Sequence, residues 1–313
     1  MIERSISRAI VTGPTGAIGI ALCLELARHG IRVFAVCRPG SCRRDAIPCH
    51  ENISVVDCDM SQLYRLVELI PDGADAFFYL AWEHTIGSGR NDMKSQIRNI
   101  SYTIDAVHAA AALGCRIFVG AGSQAEYGRA EGILRPDTPC CPENGYGMAK
   151  LCAGQMSRAE CHKLGMDHIW ARVLSIYGPG DGPNTMISSV IRQLMEKKKP
   201  SLTEGVQKWD YLYSGDAARA FRLLAVYGAD GKIYPMGSGE VRSLREYAEI
   251  LRDTVDPDLE LGFGLVPYSA LQVMHLQADI SQLKADTGFV PTVSFEEGIR
   301  LTVNEYKRMN TYE

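Results

Sequence analysis

Tyr146 and Lys150 stand four positions apart and could together move a proton. On a helix this spacing projects both side chains from one face. A phenol with a pKa of about 10 is a poor acid or base at neutral pH, but a nearby ammonium favours the phenolate and lowers that pKa. The pair alone is common on protein surfaces, so it indicates acid–base chemistry only together with other motifs.

A glycine-rich segment at 120–128 brings a hydroxyl to the end of a predicted strand. Ser123 in this segment lies where the carboxyl end of the strand would meet a ligand cleft. Its hydroxyl could hydrogen-bond the same substrate oxygen that Tyr146 protonates. Turn chemistry is the commoner role of a lone serine in such a loop, so the interpretation of Ser123 depends on Tyr146 and Lys150.

Gly13, Gly16 and Gly19 lie between the first predicted strand and the first predicted helix. Glycine there lets the backbone turn sharply and lets a pyrophosphate approach the helix N-terminus. The spacing is GxxGxxG and not the GxGxxG of the usual dinucleotide fingerprint, and close packing of helix against strand is the alternative role. The position favours a dinucleotide, with cofactor contacts from Gly13, Thr15, Gly16 and Ile18.

The end of the second predicted strand bears on the choice of cofactor. Enzymes that use NAD place Asp or Glu near this point to hold the ribose hydroxyls. This chain has Cys37 there, then Arg38, with Arg43 and Arg44 close by. A guanidinium grips a 2′-phosphate, which a carboxylate would repel. We therefore predict NADP, with NAD less favoured; solubility is the alternative role of these arginines.

Asp59 and Met60 follow the third predicted strand. Asp59 could accept a hydrogen bond from the adenine amino group, with Met60 against the adenine ring. The alternative is that Asp59 caps the helix that follows, although we expect Ser61 to be the better cap. Both residues are therefore predicted cofactor contacts.

Composition excludes several other classes of function. The chain has 313 residues and a formal net charge of −4, which gives no electrostatic case for nucleic acid or an anionic membrane as partner. The apolar stretch 9–26 is interrupted by glycine and proline and resembles neither a signal peptide nor a membrane span. Ten cysteines with no CxxC spacing or usual zinc pattern predict no metal and a reducing cytoplasm.

Short β-branched runs alternate with helical stretches over the first half of the chain, which predicts an α/β fold. We expect a Rossmann-type doubly wound parallel sheet, with helices on both faces, and a smaller C-terminal α/β lobe that binds substrate. We therefore divide the chain into an NAD(P)-binding domain at 1–174 and a substrate-binding lobe at 175–313, between which the chain can cross more than once. The predicted strands are 9–12, 31–37, 53–56, 76–80, 116–121 and 167–173, and the first helices are 17–29, 61–70, 92–113 and 147–164.

These motifs together resemble the extended short-chain dehydrogenase/reductase family, which contains nucleotide-sugar epimerases, dehydratases and reductases. The resemblance rests first on the three glycines, Ser123, Tyr146 and Lys150. Further similar segments extend it over nearly the whole chain: Leu80-Ala81-Trp82 beside the cofactor, Asn99 as the asparagine that props the active site, the Arg-x-x-x-x-Tyr-Gly-Pro segment at 172–179, and the segment at 209–218 with Trp209 in place of arginine.

The resemblance implies a role for each residue. Lys150 binds the nicotinamide ribose and lowers the pKa of Tyr146, which gives or takes the proton on a sugar oxygen that Ser123 hydrogen-bonds. Hydride passes between the nicotinamide and the sugar carbon, usually C4. Ala81 and Asn99 join the cofactor contacts. The implied substrate contacts are Trp82, Gln124, Tyr177 and Asn184, the last of which could instead cap the helix before Thr185.

The departures from the family pattern narrow the reaction. Family dehydratases carry Asp-Glu directly after the catalytic hydroxyl residue, where this chain has Gln124 and Ala125; Glu126 lies one place later and should point elsewhere. We favour an NADPH-dependent reductase of a nucleotide-linked 4-keto-6-deoxyhexose over an NAD-dependent 4-epimerase. A non-catalytic NADP sensor is the third hypothesis. Because Trp209 replaces an arginine, Arg242 or Lys208 would have to hold the pyrophosphate.

Two long predicted helices, 92–113 and 147–164, lie where extended short-chain enzymes build a four-helix dimer interface. The first carries several alanines near its end, which permit close approach of another helix. Packing against the chain's own sheet is the alternative. We expect a homodimer.

Overall fold

The computed structural model describes residues 3–269 and 272–310. In chain order the strands are β1 Arg8–Thr12, β2 Arg32–Cys37, β3 Ile53–Asp57, β4 Ala76–Tyr79, β5 Ile117–Ser123, β6 Asp167–Val173, β7 Ser175–Tyr177, β8 Lys208–Trp209, β9 Tyr211–Tyr213, β10 Ile233–Met236 and β11 Arg242–Ser243. The α-helices are α1 Ala17–Arg28, α2 Leu66–Leu69, α3 Met93–Ala112, α4 Gly145–Lys163, α5 Met186–Met195, α6 Ser214–Tyr227, α7 Leu244–Val255, α8 Ser281–Thr287 and α9 Phe295–Asn310.

Seven parallel strands form the central sheet, in the order β10-β6-β5-β4-β1-β2-β3. Thr12 at the end of β1 pairs with Val36 and with Tyr79, and Ser123 at the end of β5 pairs with Val173. Because the strands are parallel, their carboxyl ends share one edge, where ligands bind in such sheets. The predicted Rossmann-type doubly wound fold is confirmed.

The two faces of the sheet are covered by different helices, as strand alternation requires. Val11 and Phe78 point toward α1 and α6, where they join one buried apolar cluster. Ile10 and Phe77 point to the opposite face and pack with residues of α3 in a second cluster. These side chains are 0% exposed, so the central strands are buried on both faces, which explains their continuous apolar sequence.

The second lobe is built around a separate aromatic and aliphatic cluster that joins α5, α7 and α9. Two small sheets belong to it: β7 pairs with β9 in parallel, and β11 pairs with β8 antiparallel. The chain then returns to the large sheet, because α6 packs in the cluster with α1 and β10 pairs with β6. The division at 174 is therefore not a clean spatial boundary: residues 214–236 belong with the first domain, which is a crossing that the sequence left open.

Candidate active site

The three glycines between β1 and α1 serve different purposes. Gly13 has a φ of 69°, and a Cβ there would lie 2.9 Å from the Ala81 nitrogen; a Cβ on Gly19 would lie 2.1 Å from the Gly13 oxygen. Both positions therefore need glycine for packing. At Gly16 the nearest atom to an added Cβ is 3.8 Å away, and this N-cap of α1 offers no side-chain hydrogen bond. The first N–H groups of α1 are thus available to an anion, as a pyrophosphate requires.

Thr12 joins this turn to the end of β4. Its hydroxyl is buried and accepts hydrogen bonds from the Leu80 and Ala81 backbone N–H groups at 3.1 and 3.2 Å. Asn99 on α3 continues the support, because its side chain accepts from the Glu83 N–H at 3.0 Å and donates to the Glu83 carbonyl at 3.1 Å. These bonds fix the segment after β4 beside the glycine turn.

A cavity of about 250 Å³ opens beside the turn and fits the adenosine half of a dinucleotide. Cys37 lines the wall of this cavity, is buried, and offers no carboxylate. Arg38 lies at the edge of the cavity and is exposed. Among the predicted cofactor contacts, Gly16, Ile18 and Lys150 are outside this lining. The predicted contacts that line the cavity are Gly13, Thr15, Arg38, Asp59, Met60, Ala81 and Asn99, together with the predicted substrate residue Trp82.

Asp59 has a structural task as well as a place in this cavity. Its Oδ1 accepts hydrogen bonds from the Ser61 N–H at 3.0 Å and the Ser61 hydroxyl at 2.7 Å, so Asp59 and not Ser61 caps the turn that follows β3. These bonds, with the charge of Arg38, lower the pKa of the Asp59 carboxyl despite its partial burial. The expectation that Ser61 is the cap was wrong, because the Asp59 carboxylate, two residues earlier, accepts from the free Ser61 N–H.

Tyr146 and Ser123 meet at the carboxyl edge of the sheet. Tyr146 lies in the first turn of α4, which Asn144 caps by accepting from the Gly147 N–H at 2.9 Å. The Tyr146 hydroxyl lies close enough to the Ser123 side chain for the serine to lower the pKa of the phenol. The Trp82 ring packs edge-on against the Tyr146 ring, with centroids 6.1 Å apart. The structure thus brings the two predicted proton-handling groups together beside a predicted substrate residue.

Lys150 lies one helical turn further along α4 and is buried. Its Nζ donates to the Ala121 carbonyl at 2.6 Å and lies 3.8 Å from the centroid of the Trp82 ring. Burial lowers the pKa of Lys150 to about 7, against the opposing charge of Glu126. The amine therefore titrates near neutral pH, where a proton-handling group is most useful.

The cation that faces Tyr146 most closely is Arg90, which the sequence analysis did not single out. The Arg90 guanidinium carbon lies 4.5 Å from the centroid of the Tyr146 ring, while the Lys150 Nζ lies 6.0 Å from it. Burial raises the pKa of Tyr146; the hydrogen bond from Ser123 and the charge of Arg90 oppose the rise, and Glu126 adds to it. The Lys150 amine lies further from this ring than Arg90 and donates to the Ala121 carbonyl, so its effect on the pKa of Tyr146 stays a prediction.

No local pattern pointed to Arg90, which lies in a short 3₁₀ turn at Gly87–Asn91. This turn is tied to the start of α4, because Asn91 accepts a hydrogen bond from the Gly145 N–H at 3.0 Å. The signal that could have found Arg90 is its position in a glycine-containing segment after β4, the strand whose end already carries Trp82.

The predicted substrate residues are spread over the cleft. Gln124 is partly exposed in the turn after Ser123. Tyr177 is buried, and its hydroxyl donates to the Phe295 carbonyl at 3.3 Å. Asn184 is exposed, and Thr185 is the cap of α5 through the Ser188 N–H at 3.3 Å. The alternative role of Asn184 as a helix cap is therefore wrong, because Thr185 already occupies that position.

A second cavity of about 340 Å³ lies in the smaller lobe, between Tyr177, Asp181, Trp209 and Tyr211. The Trp209 indole donates to the Ser175 hydroxyl at 2.7 Å, so its ring is held at the wall. Two cations that could stand in for the missing arginine already have carboxylate partners: Arg242 pairs with Glu296, and the Lys208 Nζ lies 3.8 Å from Glu246. Either would have to exchange that partner to hold a pyrophosphate.

The cysteines and helices bear on two further expectations. All ten cysteines lie within the described residues and are free thiols. Over residues 3–269 and 272–310, no three or more His, Cys, Asp or Glu side chains are grouped so that they could hold a metal ion. Within the same part of the chain, each helix is too short or too polar to cross a membrane.

The chain is similar to known proteins over most of its length. The model of the NAD dependent epimerase/dehydratase family matches residues 9–237. A dTDP-glucose 4,6-dehydratase of Streptomyces griseus is 25% identical over 77% of this chain and 74% of its own. A GDP-6-deoxy-D-mannose reductase of Pseudomonas aeruginosa is 23% identical over 80% of this chain and 86% of its own.

A similar solved structure supports the fold. The UDP-N-acetylglucosamine 4-epimerase from Methanobrevibacter ruminantium M1, in complex with UDP-N-acetylmuramic acid, superposes with a TM-score of 0.88 at 21% identity. The match covers 98% of this chain and 100% of that one. Since the family model spans more than half of the chain and the glycine turn has the geometry of a dinucleotide site, this protein belongs to the NAD dependent epimerase/dehydratase family.

Proposed function

We propose that this protein is an NADPH-dependent reductase of a nucleotide-linked 4-keto-6-deoxyhexose. The observation that carries the proposal is a buried phenol, Tyr146, in the first turn of α4 and packed against Trp82, whose pKa is raised by burial. A phenol that is protonated at neutral pH is ready to give a proton, as reduction of a carbonyl requires. Reactions that begin by oxidising a sugar hydroxyl need the phenolate instead.

The glycine turn and Lys150 would hold the cofactor, whose reduced nicotinamide would supply a hydride to the sugar carbon. Tyr146 donates its proton to the oxygen on that carbon, and Ser123 hydrogen-bonds the same oxygen as negative charge develops there. Lys150 titrates at about pH 7 in the protein alone and is placed to hold the ribose of the cofactor. The Trp82 indole donates a 2.9 Å hydrogen bond to Gln96, which fixes its ring over the Lys150 amine.

The residues after Ser123 argue against a dehydratase. Removal of water across a sugar ring requires an acid and a base next to the catalytic hydroxyl, and here Gln124 and Ala125 supply neither. Glu126 is fully buried and paired with Arg172 at 2.7 Å, so its carboxylate is not free to act as a base in the cleft.

The preference for NADPH rests on the end of β2. Arg44 is paired with Asp57, and Arg43 donates to the Gly180 carbonyl at 2.6 Å. Arg38 stays exposed at the edge of the adenosine cavity, next to the neutral Cys37. Arg38 is thus the guanidinium best placed for a 2′-phosphate.

The reaction is tested with a thermal-shift panel of UDP-, CDP-, GDP- and dTDP-sugars, with NADPH or NADH present. A ligand that binds the folded state alone raises its melting temperature. The nucleotide found in this way is then supplied as its 4-keto-6-deoxyhexose, and absorbance of the reduced nicotinamide is followed. Stoichiometric consumption supports a reductase, whereas interconversion of 4-epimers without added or consumed cofactor contradicts it.

The cofactor proposal has its own test in R38E. This change replaces a phosphate-binding cation by a carboxylate that repels phosphate and can hold ribose hydroxyls. The ratio of the dissociation constants for NADH and NADPH should fall at least tenfold, equivalent to about 1.4 kcal/mol. R44E is the control, because Arg44 already has Asp57 as a partner. Equal binding of NADH and NADPH by the wild-type protein would contradict the proposal.

We also propose that the protein forms a homodimer through α3 and α4. Large apolar side chains are exposed on both helices: Met93 and Ile97 on α3 at 51% and 65%, and Met148 and Met156 on α4 at 49% and 48%. Exposed apolar side chains on two adjacent helices are typical of an interface. Light scattering should give a dimer mass for the wild-type protein and a monomer for I97E/M156E; a wild-type monomer would refute this interface.

A further inference from the structure

Glu126 is a buried carboxylate directly behind the reactive site. It is 0% exposed, although it follows Ser123 by only three residues. Its Oε1 accepts hydrogen bonds from the Ser123 backbone N–H at 2.8 Å and the Trp170 indole N–H at 2.9 Å. Its Oε2 accepts from the Arg172 Nε at 2.7 Å. Both oxygens are therefore occupied within the protein, and neither is offered to substrate.

Two glycines make room for this arrangement. A Cβ on Gly122 would lie 2.5 Å from the Glu126 Oε1 and 2.3 Å from the Trp170 Nε1. A Cβ on Gly154 would lie 2.6 Å from the Trp170 ring. β5 and α4 thus both lack a side chain where the indole lies between them. A buried ion pair carries a desolvation cost that an apolar pair of similar volume avoids, so its retention beside the reactive residues calls for a reason.

The first consequence concerns the backbone of Ser123. Ser123 caps the 3₁₀ turn at Gln124–Glu126, and its Oγ accepts from the Ala125 N–H at 3.2 Å. The return bond from the Ser123 N–H to Glu126 completes a capping box. Since the Ser123 side chain also lowers the pKa of the Tyr146 phenol, the carboxylate that fixes the Ser123 backbone fixes one neighbour of that phenol.

The second consequence concerns charge at Lys150. Three aromatic rings face its amine: Trp82 at 3.8 Å, and Tyr146 and Trp170 at 6.0 Å each. Rings do not compensate fully for lost water, and burial lowers the pKa of Lys150 to about 7. Glu126 accepts from the indole of that same Trp170 and from the Ser123 N–H, two residues beyond the Ala121 carbonyl that accepts from the amine. Its negative charge opposes the fall in the pKa of Lys150. Without it, the amine would lose its proton at a lower pH.

Two cations complete the surroundings of this group. Arg172 pairs with the far oxygen of Glu126 and leaves Oε1 for Ser123 and Trp170. Arg90 lies on the other side, over the Tyr146 ring at 4.5 Å. The carboxylate thus has one bonded cation, Arg172, and acts by its charge on a titrating amine, Lys150.

We propose that Glu126 is a positioning residue of the reactive site: its carboxylate holds the Ser123 backbone and supplies a negative charge that favours the ammonium form of Lys150. As a claim about catalysis this rests on the proposed reductase function, but the charge effect is a property of the protein alone. Glu126 acts through Ser123 and Lys150 and touches neither substrate nor cofactor.

The test begins with E126Q in the cofactor-free protein. Glutamine retains an acceptor oxygen for Ser123 and Trp170 but carries no charge. The ¹³Cε shift of Lys150, in lysine-labelled protein and assigned by its absence in K150M, is followed across pH. We expect the midpoint to fall by about one unit in E126Q. It should not move in D210N, which neutralises another buried carboxylate away from Lys150. An unchanged midpoint in folded E126Q overturns the proposal.

Kinetics provide a second readout. The basic limb of the kcat/KM profile reports the free enzyme, so loss of charge on Lys150 should move this limb to lower pH, with a roughly tenfold loss of kcat/KM at pH 7.5. An equal loss at every pH, with the limb in place, would indicate a purely structural role and overturn the proposal. If no nucleotide sugar is turned over, the proposed function fails, while the Lys150 titration still decides the role of the Glu126 charge.

A second variant covers the case in which E126Q does not fold. E126Q leaves the Arg172 guanidinium buried without its carboxylate, which is strongly destabilising. The double variant E126Q/R172Q replaces the ion pair by two amides, so that neither partner is left buried alone. It should show a smaller fall in the Lys150 midpoint, because loss of the Arg172 charge partly offsets loss of the Glu126 charge. A wild-type midpoint in the folded double variant overturns the proposal.

Discussion

Glu126 and Asp210 are both 0% exposed, yet their surroundings differ. Asp210 accepts four hydrogen bonds from neutral donors: the Ser238 N–H and hydroxyl at 2.7 Å each, the Gly239 N–H at 3.1 Å and the Ala278 N–H at 3.0 Å. Glu126 has a guanidinium as one partner and a titrating lysine nearby. One carboxylate is held by uncharged groups, the other by a cation within a group of ionisable side chains.

The difference shows that a buried carboxylate can either stabilise the fold or act on reactive side chains. Asp210 ties the segment between β8 and β9 to the loop after β10 and to the strand-like segment at Ala278, so it joins the smaller lobe to the sheet edge. Its donors do not change charge with pH. Glu126 instead holds the reactive segment and acts electrostatically on Lys150 and Tyr146. Substitution should therefore affect stability alone at Asp210, and chemistry as well at Glu126.

The largest expected effect is that of Y146F, which tests whether the reaction takes place in the region around Glu126. Without the phenol no proton can be given to the sugar oxygen, and kcat should fall by about 10²–10⁴-fold. NADPH binding, measured by calorimetry, should be unchanged. The control is Y234F: Tyr234 is also buried, but it lies on β10 and its hydroxyl donates to Asp286 at 2.6 Å. Undiminished activity of Y146F would remove the basis of the comparison.

The next effect is the loss of stability in D210N. An amide NH₂ in place of one carboxylate oxygen would face N–H donors and leave buried groups unpaired, so unfolding in urea should cost about 2–4 kcal/mol less. The folded variant should keep the pH dependence of kcat/KM, because no titrating group is a hydrogen-bond partner of Asp210. D253N is the control, since Asp253 is largely exposed and pairs with its neighbour Arg252. A shifted pH profile in D210N would erase the distinction between the two carboxylates.

The sequence predicts some parts of this picture well, for physical reasons. β6 is found at 167–173 as predicted, because a buried parallel strand is a continuous apolar run between turns. Ser123, Tyr146 and Lys150 come together because parallel strands end at one edge. The predicted helix at 61–70 is instead a 3₁₀ turn over Met60–Arg65, in which Gln62 leaves helical geometry, followed by the short α2. The spacing of apolar residues does not distinguish a 3₁₀ turn from an α-helix over so short a segment.

Long-range contacts are the parts that spacing could not predict. Arg90 reaches Tyr146 from another segment of the chain, and no motif links the two. Glu126 was expected to point away from the cleft, which it does, but its contacts with Trp170 and Arg172 depend on the packing of β5 against β6. Burial, which moves the Lys150 pKa, likewise follows from tertiary packing and not from the four-residue spacing that identified the pair.

The smallest expected effect is that K150M stabilises the cofactor-free protein. The pH dependence of this gain in the free energy of unfolding distinguishes the region around Glu126 from that around Asp210. The folded-state pKa of Lys150 is about 7, below the ordinary 10.5, so between these values the unfolded chain binds more protons than the folded one and stability rises with pH. The penalty is complete below pH 7 and fades toward pH 10.5. Methionine removes it but also loses the bond to Ala121, so the net gain at pH 6 should be about 1–2 kcal/mol.

This gain should shrink as the pH of urea denaturation is raised from 6 to 10, because the wild-type lysine becomes neutral on its own. K163M is the matched control: the Lys163 side chain is 71% exposed beside Glu160, so its replacement should change stability by under about 0.5 kcal/mol at every pH. If wild type and K150M give parallel stability curves across this range, Lys150 carries no burial penalty. The ammonium form of Lys150 would then need no support from Glu126, and the Glu126 charge would serve the fold just as that of Asp210 does.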